Sequence, residues 1–325
     1  MTLRLAVLAF AALLACGASL LVGGVTIAPH DVLAALVHPH AGTTATIVWD
    51  LRLPRVAIAA CVGAALALAG ALLQGLLRNP LVDPYLTGVS AGAAAAIALA
   101  ILAGVAAPFL PALGFVVGLG AAILVAILAR RGSGIDANRL ILAGVSLSAL
   151  FSAIVAFAIA RADSPDAAQQ ILAWLAGSIA GRTWSDLRFA SPYLLLGTLL
   201  AVASIPALNA LRAGDLRART VGLDVARAQW LILGSATLLT AASVTLAGIV
   251  GFIGLIVPHL ARRIVGSDAR GLLPASVLLG AGFCAIADAV ARSIVAPSEL
   301  PLGVLLAFIG VPAFLYLYLH RERHA

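Results

Sequence analysis

The sequence predicts an all-α polytopic membrane protein with about ten transmembrane helices, and three observations carry that class. The 325 residues are 63% hydrophobic and only 10% charged, with a mean hydropathy of +1.12. Apolar runs beyond the roughly 18 residues that cross a bilayer as a helix recur along the chain. The charges collect between those runs, because a charged side chain in hydrocarbon is costly. A net charge of +7 would point to nucleic acid in a soluble chain. Here arginines that fix membrane topology account for it, so lipid is the expected environment and no nucleic acid is expected as a partner. Residues 1–325 read as a single transmembrane domain.

The first span covers residues 3–22. Arg4 and the sequence Leu13-Leu14-Ala15-Cys16 loosely imitate a secretory leader, but the apolar run continues past Cys16 and many spans follow. A membrane helix is therefore the better reading. Residues 29–50 read as an external loop carrying His30, His38 and His40. With no other ligand type nearby, a solvated loop is favoured over a metal site. Spans follow at 56–77, 85–105, 109–128 and 140–159. Gly88 and Gly92 form a GxxxG on the third. Gly144, Ser148 and Ser152 recur every fourth residue on the fifth. Such small-residue stripes let helices pack closely, and the fifth-span stripe has a second reading, a pathway wall that leaves room for a bulky solute.

Residues 161–186 begin polar and continue as ILAWLAGSIAGRTW, a short helix on the external surface with Trp174 and Trp184 at headgroup depth. The sixth and seventh spans are 189–208 and 230–249. Three glycines and Pro258 within residues 248–263 forbid one smooth helix, so a broken segment is expected before a short eighth span, Ile253–Val265. The ninth and tenth spans are 272–294 and 302–319.

Between the sixth and seventh spans lies a charged island, residues 211–227, LRAGDLRARTVGLDVAR. Its glycines divide it into two short helical pieces, with Asp215 and Asp224 as candidate N-caps. It reads either as a solvated loop or as a docking surface for a cytoplasmic partner. Every basic residue apart from histidine is arginine. Placing the N-terminus inside leaves Arg52, Arg55, Arg161, Arg182, Arg188 and Arg292 outside and all the other arginines in the cytoplasm, the island among them.

Several chemistries are excluded or weakened. A P-loop needs a lysine to reach the β- and γ-phosphates, and this chain has none. If ATP energises the protein, another polypeptide hydrolyses it. Gly88 to Gly92 spells G-x-S-x-G around Ser90, but the motif needs a strand–turn–helix setting and a histidine base. Here it opens an apolar helix, and the one deep histidine is His259. Cys16, Cys61 and Cys284 fall in apolar runs without metal-ligand spacing. Asp288 and Arg292 stand four apart on the ninth span, which fits a structural ion pair, a proton-coupling site, or an arginine turned toward a partner at the outer mouth.

The motifs Leu51-Arg52-Leu53-Pro54-Arg55, GALLQGLLRNPLVDP at 70–84, GVSAG at 88–92, AGVSLS at 143–148, GFIGLIVPH at 251–259 and SELPLG at 298–303 occur in an order that resembles the permease family of cobalamin, haem and ferric-siderophore ABC importers, the type II importers. The resemblance covers nearly the whole chain. It implies a permease domain that forms a homodimer around a central pathway in the bacterial inner membrane, with both termini cytoplasmic. Two separate ATPase subunits and a periplasmic substrate-binding protein are the implied partners, and ATP and magnesium belong to the ATPase rather than to any cofactor site here. It makes Asp215, Leu216, Arg217, Arg219, Thr220, Gly222 and Leu223 the ATPase-coupling surface. Arg52, Arg55 and Arg292 become contacts for binding-protein carboxylates, a pairing that arginine suits. Gly144, Ser148 and Ser152 would line the pathway, and neither a catalytic nor a metal-binding residue is expected. The cargo leans to haem or another iron chelate over cobalamin, from overall resemblance alone. From a different class, a proton-coupled secondary transporter would use Asp288 as carrier.

Overall fold

The computed structural model describes residues 1–23, 27–39, 42–295 and 298–321. Helix α1 (Thr2–Leu21) is followed by α2 (Pro29–Val37), which starts on a proline with Asp31 in its first turn, both favourable at a helix N-terminus. Helix α3 (Gly42–Thr46) runs through a π-turn, Ile47–Arg52, straight into α4 (Leu53–Leu76). The expected external loop at 29–50 is thus largely helical. Its scattered apolar residues, Val32, Ala35, Ala45 and Val48, close a small core with Leu20 and Val56, a pattern obscured in the sequence by the interspersed histidines and proline. His40 lies outside the described residues, and His30 is exposed beside Asp31 at 3.2 Å.

After α4 the chain does not re-enter helix at once. Asp83 caps a single 3-10 turn, Pro84–Thr87, by accepting from the Tyr85 amide at 2.9 Å. Gly88 then takes the left-handed conformation (φ 78°) that starts α5 (Val89–Leu102). Helix α5 has 14 residues, about 21 Å at 1.5 Å per residue, so the third span is a short helix on a non-helical base. Helix α6 (Leu110–Leu128) leads to a tiny antiparallel hairpin, β1 (Arg130–Arg131) with β2 (Gly134–Ile135), Arg130 facing Ile135. Asp136 caps α7 (Ala137–Ala160).

Ser164 caps α8 (Pro165–Leu175), the expected short helix. Trp174 is half-buried and packs against a cluster containing Ala94, Ala98 and Val155. The indole N–H of Trp184 donates to the Trp49 carbonyl at 3.0 Å. A capping box of Thr183 and Asp186 begins α9 (Trp184–Ala203), and α10 (Ile205–Arg212) follows. Then come α11 (Asp215–Thr220), α12 (Val225–Ala247), α13 (Ile253–Val265), α14 (Ala269–Ser293) and α15 (Leu302–Arg321). The predicted break before α13 is present: Gly248 and Phe252 both have positive φ, 68° and 69°.

Seven of the described helices are long and apolar enough to cross a membrane. The other three predicted spans correspond to α5, α13 and α15. The best apolar windows of α4 and α12 are each 78% buried, whereas those of α1, α7 and α9 are 17% buried, so α4 and α12 form the centre and the others the rim. Close approach at the centre depends on glycine. A Cβ on Gly63 would lie 2.1 Å from the Gly280 carbonyl oxygen, and one on Gly70 would lie 1.9 Å from that of Gly254.

The arginines sort to two ends. Arg4 donates to the Ile264 carbonyl, Arg78 to Leu211 and Asp215, and Arg212 to Ser267, gathering one arginine-rich end. Arg52, Arg55, Arg182 and Arg292 line a single cavity at the opposite end.

Candidate translocation pathway and its charged ends

A cavity of about 550 Å³ opens where the two broken segments meet. Asp83, Tyr85, Leu86 and Ser90 line it from one segment, Ile249 from the other, and Gly144, Ser148 and Ser152 from α7. The small-residue stripe therefore divides its work. A Cβ on Gly144 would fall 1.9 Å from the Leu86 carbonyl oxygen, so that position serves packing, while Ser148 and Ser152 one and two turns on face open space. The third-span pair separates too: Gly92 lets α5 sit on Ala121, whereas Gly88 is fixed mainly by its backbone conformation. Ser90 is buried at the first turn of α5, and no histidine is among the lining residues. His259 lines a different cavity, so the hydrolase reading lacks its base.

Non-helical backbone at membrane depth is tolerated only where its polar groups find partners or water. Two side chains supply them. The Tyr85 hydroxyl donates to the Val250 carbonyl at 3.0 Å and accepts from the Val250 amide at 2.8 Å. The Gln74 amide nitrogen donates to Val82 at 3.2 Å and to Gly254 at 3.1 Å, and its oxygen accepts from Arg262. Sequence reasoning assigned neither residue a role. A lone glutamine near the end of α4, in a run that is apolar after Arg55, was the available signal, because a buried amide demands partners.

At the opposite end, Asp288 is 1% exposed and accepts from Arg55 at 3.0 Å and from Arg292 at 3.2 Å. Arg55 also reaches Glu299 at 2.9 Å. Arg52 donates to the Leu20 carbonyl at 2.7 Å, and Arg292 donates to the Ser19 carbonyl at 3.0 Å and hydroxyl at 2.9 Å. The expected Asp288–Arg292 pair is thus one edge of a larger buried cluster. All three arginines bound a cavity of about 370 Å³ at this end, yet Arg52 and Arg292 are themselves buried.

The island at the arginine-rich end behaves differently. Leu216 is 79% exposed, and Arg217, Arg219, Thr220 and Gly222 stand in solvent around it, with Leu223 half-buried. The Thr220 hydroxyl closes the helix by donating to the Arg217 carbonyl at 2.8 Å. Asp224 caps α12 as expected, accepting from the Arg227 amide at 3.1 Å. Asp215 does not cap α11: Gly214 holds that position, and the Asp215 carboxylate is taken by Arg78. Nearby, Asp268 caps α14. It accepts from the Arg270 amide at 2.8 Å and from the Asn209 side chain at 2.9 Å, which holds its carboxyl below the usual range. No group of three or more His, Cys, Asp or Glu that could hold a metal occurs among the described residues.

The sequence pattern of the FecCD transport family matches residues 10–320. This chain belongs to that family. FecCD members are the membrane-spanning permease subunits of type II ABC importers; they are not enzymes, and a separate ATPase hydrolyses ATP. The chain is 40% identical over 288 residues to the cobalamin import system permease of Halobacterium salinarum, covering 87% of this chain and 76% of the relative. It is also 40% identical over 282 residues to the hemin transport permease of Yersinia pestis, covering 85% and 84%. A solved structure described as an inward-facing conformation of a metal-chelate type ABC transporter superposes with a TM-score of 0.89 at 33% identity, covering 98% of this chain and all of that one.

Proposed function

We propose that this chain is the permease subunit of an ATP-driven importer of a metal chelate, haem or another iron chelate, working as a homodimer by alternating access. The observation that carries the reading is the cavity at the junction of the broken segments. Its α7 wall carries the small side chains Ser148 and Ser152 and the rest of its lining is mostly apolar, suited to passing a bulky solute rather than gripping it. Recognition then rests with a substrate-binding protein, and directionality with two ATPase subunits. A ligand shifts the access equilibrium only through differential affinity for its states, which a weakly binding pathway leaves to the partners.

In this reading the arginine-rich end, with both termini, faces the cytoplasm of a bacterial inner membrane. The exposed tip of α11, from Asp215 to Leu223, seats in the ATPase, and the cavity bounded by Arg52, Arg55 and Arg292 faces the binding protein. The support for that orientation is the arginine bias, since basic residues favour the cytoplasmic side. Equal identity to a cobalamin and a hemin permease keeps cobalamin as the alternative cargo within the same mechanism. A proton-coupled transporter is disfavoured because two arginines already hold the Asp288 carboxylate.

The test is uptake in proteoliposomes containing this chain, its ATPase and the cognate binding protein, offered haem, a ferric siderophore and cobalamin in parallel. ATP-dependent accumulation of the iron chelate alone is the expected result. Accumulation of cobalamin alone reverses the cargo, and flux driven only by a proton gradient overturns the mechanism.

A further inference from the structure

The geometry points to a binding site for a phosphate-bearing anion at the arginine-rich end, separate from the pathway cavity. A second cavity, of about 450 Å³, lies between α4, α10, α13 and the start of α14. Arg78, Arg212, Arg262 and Arg263 all line it, joined by His259 and Gln74, and no carboxylate is among its lining residues. Topology signals require arginines on one side of a membrane; they do not require four of them, drawn from three separate segments, to converge on one hollow.

Three of the four guanidinium groups are also held in place. Arg212 donates to the Ser267 carbonyl and Arg262 to the Gln74 side-chain oxygen, while Arg78 donates to the Leu211 carbonyl at 2.9 Å and to Asp215. The first two acceptors are neutral, and Asp268, the carboxylate that interacts with Arg212, is already engaged by the Arg270 amide and the Asn209 side chain. Arginine presents fixed forked donors that match phosphate oxygens. A basic pocket between membrane helices at the cytoplasmic surface is the setting in which anionic lipid headgroups bind. The shared chemistry is a phosphate mono- or diester, supplied by an anionic phospholipid or by free phosphate.

The purified full-length chain, in neutral detergent, is examined by native mass spectrometry. Phosphatidylglycerol, phosphatidylcholine and inorganic phosphate are added separately. Preferential retention of phosphatidylglycerol that millimolar phosphate does not displace identifies the lipid source. Retention of phosphate without lipid selectivity identifies the free ion. The double variant Arg212→Gln, Arg263→Gln is expected to weaken retention about tenfold or more, while Arg212→Lys, Arg263→Lys, which keeps the charge but loses the fork, is expected to weaken it less and controls for folding. Failure to retain either anion overturns the proposal, as does retention unaffected by the Gln variant. If the Gln variant binds anions normally but loses its ATPase subunit, the cavity is a protein contact and the proposal also falls. The readout does not depend on transport, so its outcome is independent of the cargo.

Discussion

At one end of the molecule Arg55, Arg292 and Arg52 are folded inward, two of them onto the carboxylate of Asp288 and the third onto the carbonyl of Leu20. At the other, Arg217 and Arg219 stand in solvent beside an exposed leucine. The same residue type thus does two jobs, and the sequence distinguishes them poorly. A buried charge must be paired to be tolerated, so its partners are part of the fold. An exposed charge next to an exposed Leu216 contributes little to the fold and remains open to a partner.

The sharpest way to break this contrast is to remove Asp288. The Asp288→Ala variant leaves the buried Arg292 guanidinium without its carboxylate, while Arg55 keeps Glu299, and should lose about 3–5 kcal/mol, read by thermal unfolding in detergent. A loss below about 1 kcal/mol would mean that the cluster is not structural. In Asp288→Asn protein that still folds, ATP-driven uptake should persist; its disappearance together with proton-driven flux would revive the carrier reading.

Between the two ends, Tyr85→Phe leaves the Val250 amide and carbonyl without their shared partner. The expected cost is about 1–3 kcal/mol in unfolding, and an unchanged melting curve would show that water replaces the hydroxyl. The exposed end should respond in the opposite manner. Arg217→Glu with Arg219→Glu should alter stability by no more than about 0.5 kcal/mol yet reduce substrate-stimulated ATP hydrolysis in the assembled complex. Unchanged hydrolysis would count against coupling at α11.

The smallest effect concerns pH. The carboxyl of Asp268 is held below its ordinary value of 3.8, chiefly by the Arg270 amide. Its contribution is therefore fully present above that value and fades as pH falls through the lower folded-state pKa. Asp268→Asn should flatten that acid limb of the stability curve, and an identical limb would remove Asp268 from the account.

The spans were legible because length and hydropathy alone define a membrane helix, and the break before α13 was legible because three glycines and a proline cannot continue one. The helices at 29–50 were not, since a short amphipathic pattern interrupted by His and Pro looks like a loop until Val32 and Val48 are seen closing on Leu20. At the candidate site, spacing marked Ser148 and Ser152 as one stripe with Gly144, open to a packing or a pathway reading, and the fold places both on a cavity wall. Tyr85 and Gln74 were not, because a single polar residue in an apolar run shows a need for partners without showing where they lie. The inward burial of Arg52 and Arg292 was hidden for the same reason: exposure belongs to the folded chain.

The Tyr85 hydroxyl uses both its lone pair and its proton on one residue, Val250. It therefore acts as a rivet between the two stretches of chain that are not helical. Gln74 adds a second fastening on the same pieces, and Arg262, far along α13, pulls on that glutamine. The two walls of the hollow are therefore joined to each other through Tyr85 and, through Gln74 and Arg262, to the arginine-rich end.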